Sequence, residues 1–136
     1  SDSSYYRMEL MAPLAESYPQ LDIPQREFRE GINVRFLDAL GQETSRLRAE
    51  YALQLIDKDL WEARGDVVVV NEKGEQLNTE KLFWDARTEK IYSDEFVKIT
   101  TKDQIIMGEG FQADQNFSSY ELDRVTGQLN IEDDAS

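Results

Sequence analysis

Apolar and polar residues alternate with a period of two along most of this chain, the spacing of strands that bury one face. The alternation begins with Tyr6, Met8, Leu10, Ala12 and Leu14, set between Arg7, Glu9, Met11 and Pro13. Pro13 has no N–H to give a ladder, so this first strand, Tyr6 to Leu14, is expected at a sheet edge. The next segment, Tyr18 to Glu30, contains Pro19 and Pro24 and is expected to be irregular. Ile32, Val34 and Phe36 then alternate with Asn33 and Arg35, and Leu47, Ala49 and Tyr51 with Arg48 and Glu50. Between them, Asp38 to Gln42 holds Gly41 and reads as a hairpin turn.

Further strands are expected at Leu60 to Ala63, Val67 to Val70, Leu77 to Trp84, Ile91 to Ser93, Phe96 to Thr100, Ile105 to Ala113 and Tyr120 to Val125. Turn chemistry separates them at Asn71 to Gly74, Asp85 to Lys90, Thr101 to Gln104 and Asn116 to Ser119. Many short strands at this spacing predict an all-β sandwich or barrel. A helix over Ser45 to Asp59 competes, because Leu47, Tyr51 and Leu55 also fit a spacing of four.

A weak repeat runs through the pattern. Leu47-x-Ala49-x-x-Ala52 aligns with Leu77-x-Thr79-x-x-Leu82 and Ile106-x-Gly108-x-x-Phe111. Each is followed by a bulky residue at Leu60, Ile91 or Tyr120, and then by Val67, Val97 or Val125. A period of about 30 residues with three short strands per unit predicts stacked antiparallel layers sharing one hydrophobic interior.

Composition narrows the function. A chain of 136 residues, 40% hydrophobic and 32% charged, suits one soluble globular domain with a single core. The domain is expected over residues 5–131, with residues 1–4 and 132–136 as flexible ends. The net charge of −13 repels a polyanion, so no nucleic acid is expected as a partner. Cysteine and histidine are both absent, which excludes disulfides, thiol nucleophiles, Ser-His triads and the usual zinc sites. Neither a catalytic residue, a metal site nor a cofactor is expected. Pairs such as Asp57-x-Asp59, or Glu109 with Asp114, lack EF-hand spacing and follow from having 28 acidic residues. No apolar run is long enough to span a bilayer as a helix, and no leader pattern follows Ser1, so any anchor is expected outside this sequence.

Five stretches together resemble the LptC family of lipopolysaccharide-export proteins. They are Leu47 to Tyr51, Trp61 to Val69, Leu77 to Asp85, Ser93 to Ile99 and Gly108 to Asp114, taken in that order and spacing. The resemblance implies an all-β, twisted β-jellyroll of two antiparallel sheets. It also implies a non-enzymatic carrier of lipopolysaccharide, periplasmic and tethered to the inner membrane. The implied partners are lipopolysaccharide, an inner-membrane lipopolysaccharide ABC transporter and an LptA-like bridge protein. On this reading the lipid-binding groove draws on Phe36, Leu47, Ala49, Trp61, Leu82, Trp84, Ile91, Ile106, Phe111 and Leu122. Gly108 and Gly110 bracket Glu109 in an alternating strand, where glycine serves a tight bend or keeps the groove open. The two terminal strands are the expected partner-binding edges, through Tyr6, Met8 and Leu10 at one end and Tyr120, Leu122, Val125 and Leu129 at the other.

Other readings stand beside this one. The inward apolar set can be an ordinary packed core, which describes a structural or adhesive β-repeat module without a lipid ligand. Arg26, Arg29, Arg35, Arg46 and Arg48 can meet phosphate groups or form a salt-bridged surface. A carbohydrate-active enzyme would need two carboxylates converging in a cleft.

Overall fold

The computed structural model describes residues 7–131, where apart from a 3-10 turn at Ile56–Lys58 every regular element is a β-strand. In chain order these are β1 (Arg7–Met11), β2 (Glu16–Tyr18), β3 (Gln25–Phe28), β4 (Ile32–Leu37), β5 (Glu43–Ala49), β6 (Tyr51–Leu55), β7 (Leu60–Asn71), β8 (Gln76–Asp85), β9 (Lys90–Thr100), β10 (Gln104–Asp114) and β11 (Tyr120–Asn130). One hydrogen-bonded path runs β1-β4-β5-β7-β8-β9-β10-β11, and a branch, β2-β3-β6, joins at β7. All of these pairings are antiparallel.

The branch arises because long strands bend. The N-terminal half of β7 pairs with β6 and its C-terminal half with β5. Likewise β2 continues β1, β3 leads into β4, and β6 continues β5. The result is a simple up-and-down meander folded along a crease into two layers. One holds β1, β4, β5 and the segments 67–71, 76–79, 97–100 and 104–108; the other holds β2, β3, β6 and 60–64, 81–85, 90–93 and 111–114. The layers face each other, as Phe36 of the first meets Trp84 of the second edge-on at 5.1 Å.

Local chemistry makes the crease. Register shifts occur between Arg64 and Val67, between Thr79 and Phe83, and between Glu109 and Phe111, each one an extra residue that bends a strand. The backbone turns to positive φ there at Gly31, Gly65, Asp66 and Gly110. Across it, the inward step lengthens from two residues to four or three: Phe28 to Ile32, Ala49 to Ala52, Ala63 to Val67, Thr79 to Leu82, Ser93 to Val97 and Gly108 to Phe111, all buried. The three-residue step is the x-x of the sequence repeat.

Opposite the crease lies a mouth formed by the turns. Their side chains hold them: Asp38 accepts the N–H groups of Leu40 and Gln42, Asn71 those of Lys73 and Glu75, and Asp114 those of Ser118 and Ser119. Ala49, Ala52, Ala63, Thr79 and Ser93 line the crease, whereas Phe36, Trp61 and Trp84 lie nearer the mouth.

The structure corrects several expectations. Tyr18 to Glu30 is not irregular throughout: Gln25–Phe28 pairs with β6, and Phe28 is buried and stacked on Trp61 at 5.4 Å. The ladder offered by β6 outweighs the prolines that precede it. Segments 60–63 and 67–70 are one bent strand, as are 91–93 and 96–100, so the second and third repeat units hold two long strands rather than three short ones, while in the first β5 and β6 together take the place of one. The helix over Ser45 to Asp59 does not form, since β4 and β7 pair the backbone of its first half. The first strand ends at Met11, before Pro13, and Tyr6 and the expected flexible ends, 1–4 and 132–136, lie outside the described residues.

Candidate functional site

The groove residues expected from sequence converge between the two layers. Phe36, Leu47, Leu82 and Ile91 are no more than 1% exposed, and Ala49, Trp61, Trp84 and Phe111 are also buried. Ile106 and Leu122 are half-buried and pack against that cluster near the β11 end. Trp61 stacks on Trp84 at 5.1 Å, so Phe28, Trp61, Trp84 and Phe36 form one aromatic row from layer to layer. Side chains of the chain itself fill this interior. Phe28, Ala52, Ala63, Ala113 and Phe117 also belong to it, although the alternation did not single them out as inward. A long bend hides the period at Ala52 and Ala63, and Phe117 sits in what reads as a polar turn.

Both glycines serve the crease. A Cβ on Gly108 would lie 2.5 Å from the Arg124 carbonyl oxygen and 3.3 Å from Leu122 Cδ1, so β11 occupies the side-chain position. Gly110 has φ +77°, and a Cβ there would meet the Asp123 carboxylate. Close approach of β11 therefore accounts for the missing side chain at Gly108, rather than open groove space.

At both ends the expected apolar residues among the described ones point inward, with one exception. Met8 and Leu10 pair with Phe36 and Val34, which turns them inward at the β1 edge. Tyr120 and Leu122 pair with Ala113 and Phe111, and Val125 with Gly108, so all three share the inner side of β11. Val125 is nevertheless 55% exposed, because no further strand covers it among the described residues. Leu129 departs from the expected track. A register shift beside Gly108 makes Thr126 an extra residue, and Leu129 then pairs with outward-facing Ile105.

Charge stays on the outside. Arg29 pairs with Glu16, Arg35 with Glu9 and Glu43, Arg46 with Glu43, and Arg48 with Asp66. Arg26 donates to Ser17 and Gln54. The five arginines thus form a surface network with neighbouring polar groups, of small energetic weight for exposed pairs. Arg46 and Arg35 hold the Glu43 carboxyl below its usual range. Burial, with a hydrogen bond to Glu27, pushes the Tyr51 phenol up to about 12. Burial and the nearby Glu75 carboxylate raise that of Tyr120. No group of three or more Asp or Glu among the described residues is arranged to hold a metal. The arrangement offers an apolar enclosure with strand edges open among the described residues; its charged groups lie at the surface, and the buried hydroxyls of Thr79 and Ser93 at the crease are satisfied by strand carbonyls.

Comparison with known proteins bears on this geometry. A family model described as lipopolysaccharide-assembly, LptC-related, matches residues 5–130. Among similar solved structures is LptH, the LptA homologous periplasmic component of the lipopolysaccharide transport device from Pseudomonas aeruginosa. It is 13% identical, with a TM-score of 0.64, over 89% of this chain and 85% of that one. The likeness is one of fold. A search of curated proteins returned no match.

Proposed function

Because this chain belongs to the LptC-related family of lipopolysaccharide-assembly proteins, we propose that its two layers enclose lipopolysaccharide acyl chains as a non-enzymatic carrier. Its role is in lipopolysaccharide transport. The observation that carries the enclosure is an apolar interior joined covalently along the crease and running between two edges, β1 and β11, that are unpaired among the described residues. Each acyl CH₂ kept from water is worth about 0.8 kcal/mol, so a lipid with several chains needs apolar walls throughout an aqueous crossing.

The test is photo-crosslinking in cells that make lipopolysaccharide. A photoreactive residue at buried Phe111 or Leu82 is expected to capture lipopolysaccharide, and one at outward Glu80 or Gln112 is not. Equal labelling inside and outside overturns the reading. The filled interior favours a second reading, an interaction module without a lipid ligand, and failure to label from either inner position would select it.

The carrier works in the periplasm from an inner-membrane tether. It receives lipid from an inner-membrane ABC transporter at the β1 end and passes it to an LptA-like bridge protein at the β11 end. Unpaired edge strands invite strand addition by a partner of related fold. A photoreactive residue at Val125 is expected to crosslink the bridge protein, and one at Met11, 67% exposed on β1, the transporter. The opposite pattern reverses the polarity.

A further inference from the structure

We propose that the turn segment Gln115–Phe117 is a latch across the mouth of the interior, and that its release admits an acyl chain sideways between the layers. The inference rests on the carrier reading above and identifies where the enclosure opens. The segment follows β10 in the second layer, where Trp84 Nε1 donates to Gln115 Oε1 at 3.1 Å. Its hydrogen bonds to the first layer cross the mouth. Ser45 Oγ donates to the Gln115 carbonyl at 2.6 Å, Asn71 Nδ2 donates to the Phe117 carbonyl at 2.8 Å, and the Thr44 hydroxyl lies 2.6 Å from the Asn116 amide oxygen. The neighbouring turns bond within their own layer: Asp38 to Gln42, Asn71 to Glu75, and Thr101 to Gln104. Among the described residues, every side-chain hydrogen bond that spans the mouth belongs to this segment.

Phe117 makes the latch more than a tie. It is fully buried, with its ring 5.9 Å from Phe111 and 5.1 Å from Tyr120. Its φ is +55°, a conformation that an aromatic residue keeps only where its surroundings impose it. Swinging the segment out relieves that backbone and uncovers an apolar site of the chemistry an acyl chain requires. The hydrogen bonds lost can be replaced by water at the mouth, so opening costs far less than their full strength. The crease cannot part in this way, since continuous backbone runs through it in every long strand. Lateral opening is therefore confined to the mouth.

The experiment uses the absence of native cysteine. A Thr44→Cys and Asn116→Cys double variant carries a photoreactive residue at Leu82 and is exposed to purified lipopolysaccharide, oxidised or reduced. The reduced form is expected to capture lipopolysaccharide as the single-cysteine controls do, and the oxidised form to fall to background. A separate Ser45→Ala variant, its unfolding measured alongside, is expected to capture about fivefold faster, the shift from removing one net hydrogen bond. Equal capture by oxidised and reduced protein overturns the latch, as does an unchanged rate for Ser45→Ala should the disulfide fail to form. Absence of capture by the protein carrying only the Leu82 photoprobe overturns the carrier reading itself, and the latch with it.

Discussion

Trp84→Ala is expected to destabilise the protein by about 3–5 kcal/mol, the range for removing a large aromatic side chain from a packed core. Trp84 is 4% exposed, stacks on Trp61, meets Phe36 edge-on and donates its indole N–H to Gln115. Truncation removes all of these, leaves a cavity between the layers, and strands the Gln115 amide. For a domain of this size the melting temperature should fall by roughly 10–20 °C. Trp84→Phe keeps much of the packing and should cost less. Denaturant and thermal unfolding measure both. A loss below about 1 kcal/mol would mean that the layers close readily around a missing side chain, and that packing between them is not what holds the interior together.

Gly108→Arg is expected to detach β11 from β10 and stop lipid hand-over. The new Cβ alone would collide with the Arg124 carbonyl, part of a backbone that cannot move without loss of the ladder. The guanidinium would extend inward beside Val97, fully buried, where a charge has no partner. Destabilisation of about 3 kcal/mol or more is expected, concentrated in β11, with Gly108→Ala showing a smaller loss of the same kind. Hydrogen exchange of the β11 amides reads the local effect, and binding of the bridge protein reads the consequence. Normal β11 protection with normal export in cells would remove Gly108 from the account.

How the sequence conveyed this fold is clearest at particular residues. Leu47 and Ala49, or Leu77 and Thr79, announce inward positions because the pleat sends alternate side chains to one face. Ala52 and Leu82 are related to them by a step of three, and that irregularity was visible as the repeat while its meaning, a bend between two layers, was not. Phe28 was hidden for another reason. Four residues directly after Pro24 carry little periodic signal, and β3 exists because β6 and Trp61 are there to receive it.

The candidate site divides in the same way. Eight of the ten expected groove residues, from Phe36 to Phe111, are buried, and Ile106 and Leu122 lie half-buried beside them. Alternation alone separates inside from outside, so this much was legible. Leu129 was placed by that rule on the wrong side, because one extra residue at Thr126 flips everything beyond it.

By itself, then, the sequence determined the β class, the positions of most turns and the identity of most inward residues. These follow from local periodicity and from Asp, Asn and Gly chemistry that acts within a few residues. The tertiary structure decided which half-strands share a layer, where the crease runs, and that Phe117 closes the mouth. Those depend on pairings such as Ser45 with Gln115 and Phe36 with Trp84, between residues far apart in the chain. No local pattern records such a meeting, since its energy exists only once both layers are in place.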